Sequence, residues 1–186
     1  MDSQINERIE DTLSNHDWLE DAADAVQPRL RDLLDALPPS VVGFLHGEPL
    51  GHPLHPILIH LPLGGWIVAG LLDFLPGQSE ESEQAADRAL LLGTVGAVGA
   101  IAAGWTDWAN SRGEARRTGL IHGTVNEAAF TLNLLSLWAR KRGRRGLGKA
   151  LSGTALGLAG LGGFLGGQLV YRHGLGVGRT MATPQG

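Results

Sequence analysis

Apolar and small residues fall into four long runs separated by short polar stretches. The runs are 56–75 (PILIHLPLGGWIVAGLLDFL), 89–109 (ALLLGTVGAVGAIAAGWTDWA), 119–139 (GLIHGTVNEAAFTLNLLSLWA) and 150–171 (ALSGTALGLAGLGGFLGGQLVY). Each is close to the roughly 20 residues that a helix needs to cross ~30 Å of hydrocarbon. They are apolar all round rather than on one stripe, and a chain of 186 residues leaves too little sequence to cover four such helices in a soluble core. The pattern predicts an all-α integral membrane protein, an up-down four-helix bundle over residues 50–179. Before it, Ile5, Ile9 and Leu13, then Leu19, Val26, Leu30, Leu33, Leu34 and Leu37, form an approximate helical stripe. Pro28 is expected to break this stripe and Pro38–Pro39 to end it. Residues 1–49 thus read as an amphipathic helical head, and 180–186 as a flexible tail.

The glycines say how the helices meet. Gly153 and Gly157, Gly162 and Gly166, and Gly163 and Gly167 are small-xxx-small pairs in the fourth run; the second run pairs Gly93 with Ala97, Gly96 with Ala100 and Gly99 with Ala103 in the same way. In lipid there is little hydrophobic drive between helices, and close backbone approach through small residues takes its place. Runs two and four are therefore expected to be tightly packed.

Charge adds an asymmetry. The net −4 combines a head with 11 acids and 3 bases and a body with 8 acids and 12 bases. So acidic a head is not drawn to anionic lipid, and it is expected to pack on its own bundle or on a partner. The one dense basic run, ARKRGRRG, lies between runs three and four, where it reads as a cytoplasmic loop. Loops on that side carry seven Lys or Arg against five on the other, which places both termini outside. No basic, cleavable signal precedes the apolar runs, so the first helix is expected to act as an uncleaved anchor. Nucleic acid is not a predicted partner. The chain has no cysteine, which excludes disulfides, thiol chemistry and iron-sulphur ligation by its own residues.

An up-down bundle gathers the polar residues of the runs on one membrane face. There the first helix contributes His52, His55 and His60, the second ends in Trp105, Asp107 and Trp108, the third begins with His122 and Asn126, and the fourth ends in Gln168, Tyr171, Arg172 and His173. On a helix, Asn126 lies about 40° and Asn133 about 20° from His122, one narrow polar stripe of the kind that faces a bundle interior. Glu127 falls off that stripe and has no evident partner. A haem b held between helices needs two neutral imidazoles on opposite sides of the iron. His60 and His122 are the best-placed pair, with His55 and His173 as substitutes and Asn126 beside them. A metal ion would want converging ligands, for which His52, His55, Asp107 and His173 are the candidates. Against both stands a plainer reading: Trp105, Trp108 and Tyr171 form an interfacial aromatic belt, the histidines are hydrogen-bonding groups at helix ends, and Asp107 caps a helix or pairs with Arg112 or Arg172. His16 and His46 read as solvated.

The segments FLHGEPLGHPLHPILIHLPLGGWIVAGLLDFL, GWTDW, RTGLIHGTVNEAA and LGGQLVYRHGLGVGR resemble, in this order, an uncharacterised bacterial family of four-helix predicted membrane proteins. The resemblance covers roughly residues 20–179. It implies functional weight for His52, His55, Asp107, His122, Asn126, Gly166, Gly167, Tyr171, His173 and Gly174. Position 60 varies among relatives, and Gln168 stands where a histidine is common. Some relatives continue into a Rieske iron-sulphur domain, which implies a redox neighbourhood.

Three functions follow as expectations. The first is a redox-associated module that binds haem b or a quinol at the histidine-rich face, with a Rieske-type or other redox protein as partner. The second is a non-catalytic scaffold or assembly partner for another subunit, and the third is metal-ion binding. Lipid is the constant partner, and a homo-oligomer is compatible with the glycine-rich faces. No nucleophile–base pair or phosphate loop appears, so an enzyme acting alone is not predicted.

Overall fold

The computed structural model describes residues 17–77 and 79–175. Ile5, Ile9, Leu13, His16, Arg179 and the tail 180–186 lie outside the described residues. Within them the chain is helical and has no strand. Helix α1 is Asp17–Asp35, α2 is Pro39–Leu45, and a 3-10 turn over Glu48–Leu50 leads to α3, Leu54–Leu58. Four longer helices follow: α4, His60–Phe74; α5, Glu80–Trp108; α6, Gly113–Lys141; and α7, Arg145–Tyr171.

Among the described residues, three helical stretches are long and apolar enough to cross a membrane: Leu54–Phe74, Glu80–Trp108 and Arg145–Tyr171. Helix α6 is as long as α5 but is not one of them. His122, Asn126, Glu127 and Asn133 dilute its apolar run, which the sequence reading counted as the third span. Helices α3 and α4 run nearly in line, with the break at Ile59, because Pro62 has no N–H to return to the carbonyl of Leu58. Helix α5 starts well before its apolar run. Ser79 caps it, with the Ser79 Oγ accepting from the Ser82 N–H and the Ser82 Oγ from the Ser79 N–H at 3.2 and 2.9 Å.

The long helices meet through small residues. Trp66, Ala69, Leu90, Ala97, Ala129, Ala155 and Ala159 form the buried core. Gly65 lies against the backbone of Gly93, where a Cβ would come within 2.7 Å of the Gly93 Cα. By contrast Leu71, Leu92, Val95, Val98 and Phe164 are exposed, an apolar outer surface that suits lipid.

One end of the helices is held by charges. Asp73, the sole acid in the first apolar run, has a fully buried side chain and accepts a two-pronged contact from Arg140 at the end of α6. Arg140 also donates to Asp87 at 2.8 Å, to the Ser136 Oγ at 3.1 Å and to the Ser152 Oγ at 2.9 Å. Arg145 joins Asp73 and Asp87 at 3.2 and 3.1 Å, and the Lys149 Nζ donates to the Asp73 carbonyl. Residues of α4, α5, α6 and α7 thus meet in one clamp.

The other end is covered by α1. It runs through Pro28 rather than breaking there. The carbonyl four residues earlier belongs to Asp24, whose side chain is 71 % exposed, so the hydrogen bond that proline cannot make is lost on a solvated side. Leu19 and Ala23 pack on Trp108 and Leu120. The buried Gln27 amide donates to the carbonyls of Trp108 and Ser111 at 3.1 and 3.0 Å, and the Arg31 Nε donates to that of Ala109 at 2.8 Å. These are carbonyls at the end of α5 that the helix itself leaves unpaired. Glu20 pairs with Arg116 and Arg117 at 2.9 and 2.7 Å, and Asp24 with Arg116. Gln27→Ala removes the side-chain donor to the buried Ser111 carbonyl, while that of Trp108 keeps the Ser111 N–H and Oγ, and is expected to weaken the docking of α1 by about 1–3 kcal/mol. Limited proteolysis that releases α1 no faster from the variant than from the parent would contradict this.

Candidate functional site

The histidine face lies at the end covered by α1. His55 on α3 and His122 on α6 are neighbours, with ring centroids 6.1 Å apart and planes at 83°. The Nδ1 of His55 bonds the carbonyl of Ala100 at 2.8 Å, and that of His122 the carbonyl of Gly162 at 2.9 Å. A carbonyl only accepts, so each Nδ1 carries a proton, and in the uncharged tautomer the lone pair is on Nε2. Glycines give the rings their places. A Cβ at position 104 would lie 2.8 Å from the His55 Nδ1, and one at position 166 would lie 3.1 Å from the His122 Cε1. Asn126 donates its amide N–H to the His122 carbonyl at 2.8 Å and lies against Gly162.

His60 is not part of this pair. It is exposed, and its Nδ1 donates to the carbonyl of Ile57 in its own turn at 3.1 Å. The imidazole that faces His122 is that of His55, one of the substitutes in the sequence reading.

The other residues divide. His46, read as solvated, is half-buried with its Nδ1 2.9 Å from Asp107 Oδ1. The bond ties the α2 end of the head to α5. Trp108 is buried, donating its Nε1–H to the Arg116 carbonyl at 2.8 Å, and it stacks edge-on with Trp105 at 5.0 Å. Trp105 donates to Glu127 at 2.6 Å, which supplies the partner that the sequence did not reveal. His52, Arg172 and Tyr171 are exposed, Tyr171 at 92 %. Gln168 and His173 are half-buried at the end of α7, where the Gln168 carbonyl accepts the backbone N–H groups of Arg172 and His173. Among the described residues no group of three or more His, Asp or Glu is placed to hold a metal ion, so His52, His55, Asp107 and His173 do not converge.

Residues 51–179 match the model of the family described as predicted membrane protein (DUF2231), and the chain belongs to that family. No curated protein and no solved structure matches it. The matched region begins just before α3, so α1, α2 and His46 lie outside it.

Proposed function

We propose that this protein is a redox-associated module of the bacterial cytoplasmic membrane, and that His55 and His122 are its ligand-binding pair. The observation that carries the reading is the facing of two imidazoles from different helices, each fixed in the same tautomer by a backbone carbonyl. A second hydrogen bond that fixes the ring and its tautomer is the usual support of an imidazole ligand. In the proposed topology α3–α4, α5, α6 and α7 cross the bilayer as an up-down bundle, with α6 shielded from lipid on its polar stripe.

The donor set fits haem b: His55 and His122 would supply the two axial nitrogens, and the haem would supply one-electron transfer. The chain's own part is to hold the rings. Ala100 and Gly162 set their orientation, Gly104 and Gly166 leave them room, and α1 covers the end of α5 beside the site. A quinol headgroup would use the same Nε2 atoms as acceptors for its hydroxyl protons.

The proposed orientation keeps the clamp end cytoplasmic and both termini outside. Pairing leaves the basic bias unchanged in sign. Arg140 and Arg145 are taken up by the clamp, but Arg88, Lys141, Arg142, Arg144 and Lys149 remain on that side. Across the membrane, Arg116 and Arg117 are paired with the head.

Absorption spectra of protein purified from haem-replete cells, oxidised and dithionite-reduced, test the reading. The expected result is a Soret band lost in both His55→Ala and His122→Ala and kept in His60→Ala. A featureless spectrum removes haem. Protection of His122 from chemical modification by a quinol analogue would then support the quinol form, and its absence would overturn the redox reading.

A further inference from the structure

Along α6, His122, Asn126, Ala129, Asn133, Ser136 and Arg140 follow one another at intervals of three or four residues and lie within about 40° of one line. The line starts at the His55–His122 pair and ends at the Asp73–Arg140 clamp. Its polar members have partners with one exception. His122 and Asn126 are bonded as described, Ser136 donates to the Gly148 carbonyl at 2.7 Å, and Arg140 is held by Asp73 and Asp87. Asn133 is fully buried, and among the described residues neither its Oδ1 nor its Nδ2 has a partner.

The depth of Asn133 follows from the clamp. Trp66 precedes Asp73 by seven residues, Thr94 follows Asp87 by seven, and Asn133 precedes Arg140 by seven. Because Asp73, Asp87 and Arg140 meet, Trp66, Thr94 and Asn133 stand at one level about 10 Å inward, two helical turns from the charges. The level has a polar floor of its own, since the Trp66 indole donates to the Thr94 hydroxyl at 3.2 Å. The buried core cluster draws only alanines from α6 and α7: Ala129, Ala155 and Ala159.

An amide with free donors and an acceptor, buried far from bulk solvent, offers polar contacts of the kind that a buried water takes up. We propose that Asn133 binds internal water at the middle of the bundle, hydrating the α6 stripe between Asn126 and Ser136. The clamp closes one end of this space, with the Asp73 and Arg140 side chains 0 % and 2 % exposed, so the water exchanges through the histidine face. The inference does not depend on what His55 and His122 bind.

Radiolytic hydroxyl labelling of the full chain in lipid nanodiscs tests it, because radicals formed from bound water mark the side chains beside that water. Trp66, only 6 % exposed, is expected to be labelled in the parent. It should be labelled several-fold less in Asn133→Leu and near the parent level in Asn133→Ser, which keeps a hydroxyl for water. Equal labelling in the parent and the leucine variant, or a higher melting temperature for that variant, would mean a dry, unpaired amide and overturn the proposal. If the leucine variant does not fold, the serine variant decides: loss of Trp66 labelling there overturns the proposal and retention supports it.

Discussion

Asp73→Ala is expected to destabilise the protein by about 3–5 kcal/mol, the largest single-residue effect in the chain. The physical ground is the environment of Arg140, whose side chain is 2 % exposed against an Asp73 that is 0 % exposed. Attraction within the pair offsets the cost of removing two charges from water, and removal of one partner leaves that cost uncompensated. Asp87 and the hydroxyls of Ser136 and Ser152 still hold Arg140, so the lower part of the range applies if they re-centre on it. The double variant Asp73→Leu/Arg140→Leu should recover much of the loss, because packed apolar side chains are often no worse than a buried pair. Thermal unfolding in detergent, followed by size-exclusion of the surviving monodisperse fraction, reads both. A single variant as stable as the parent would show that the pair does not hold the helices.

Gly65→Ile should be nearly as damaging, and its neighbour provides the control. A Cβ at position 65 would stand 2.6 Å from the Ala89 carbonyl oxygen and 2.7 Å from the Gly93 Cα. Both are backbone atoms, so no side chain can rotate away and α4 must move off α5. Overpacking of this kind costs about 1–3 kcal/mol and occasionally more. At position 64 a Cβ meets nothing within 4 Å, on the outer face of α4. Gly64→Ile is therefore expected to leave the unfolding temperature nearly unchanged. Equal losses from the two substitutions would point to glycine's backbone freedom rather than close helix contact.

The long helices were legible because apolar runs of spanning length have few other structural outcomes; of the glycine spacings, Gly93 makes a close approach, but to Gly65 of the first run, whereas Gly157, Gly163 and Gly167 of the fourth meet nothing within 4 Å. The polar stripe of α6 was legible for the same reason, since helical periodicity alone places Asn126 and Asn133 beside His122. Which imidazole meets His122 was harder to read. His55 and His60 are five residues apart, about 140° on a helix, so one that faces inward turns the other out. The choice depends on how α3 abuts α5, and there Gly104 receives His55. The Asp73–Arg140 contact was hidden because Arg140 opens a basic run that reads as a solvated loop. His46–Asp107 was hidden because its partners are 61 residues apart, beyond any local pattern. The polarity that removes α6 from the candidate spans has the same source as its interest: the groups that lower its apolarity are those it presents to the site and the core.

The docking of α1 also orders events during synthesis. Gln27 leaves the ribosome first, but its acceptors at Trp108 and Ser111 are 81 and 84 residues later in the chain, and Glu20 waits 96 residues for Arg116. At roughly 5–20 residues per second, that is an interval of about 4–16 s or more in which the head has no surface to close on. In the proposed topology two crossings must also be completed before the α5–α6 corner reaches the head's side. A segment translated before the bundle is thus among the last to settle, and a nascent chain arrested before residue 120 would carry its acidic helix without all of its docking partners.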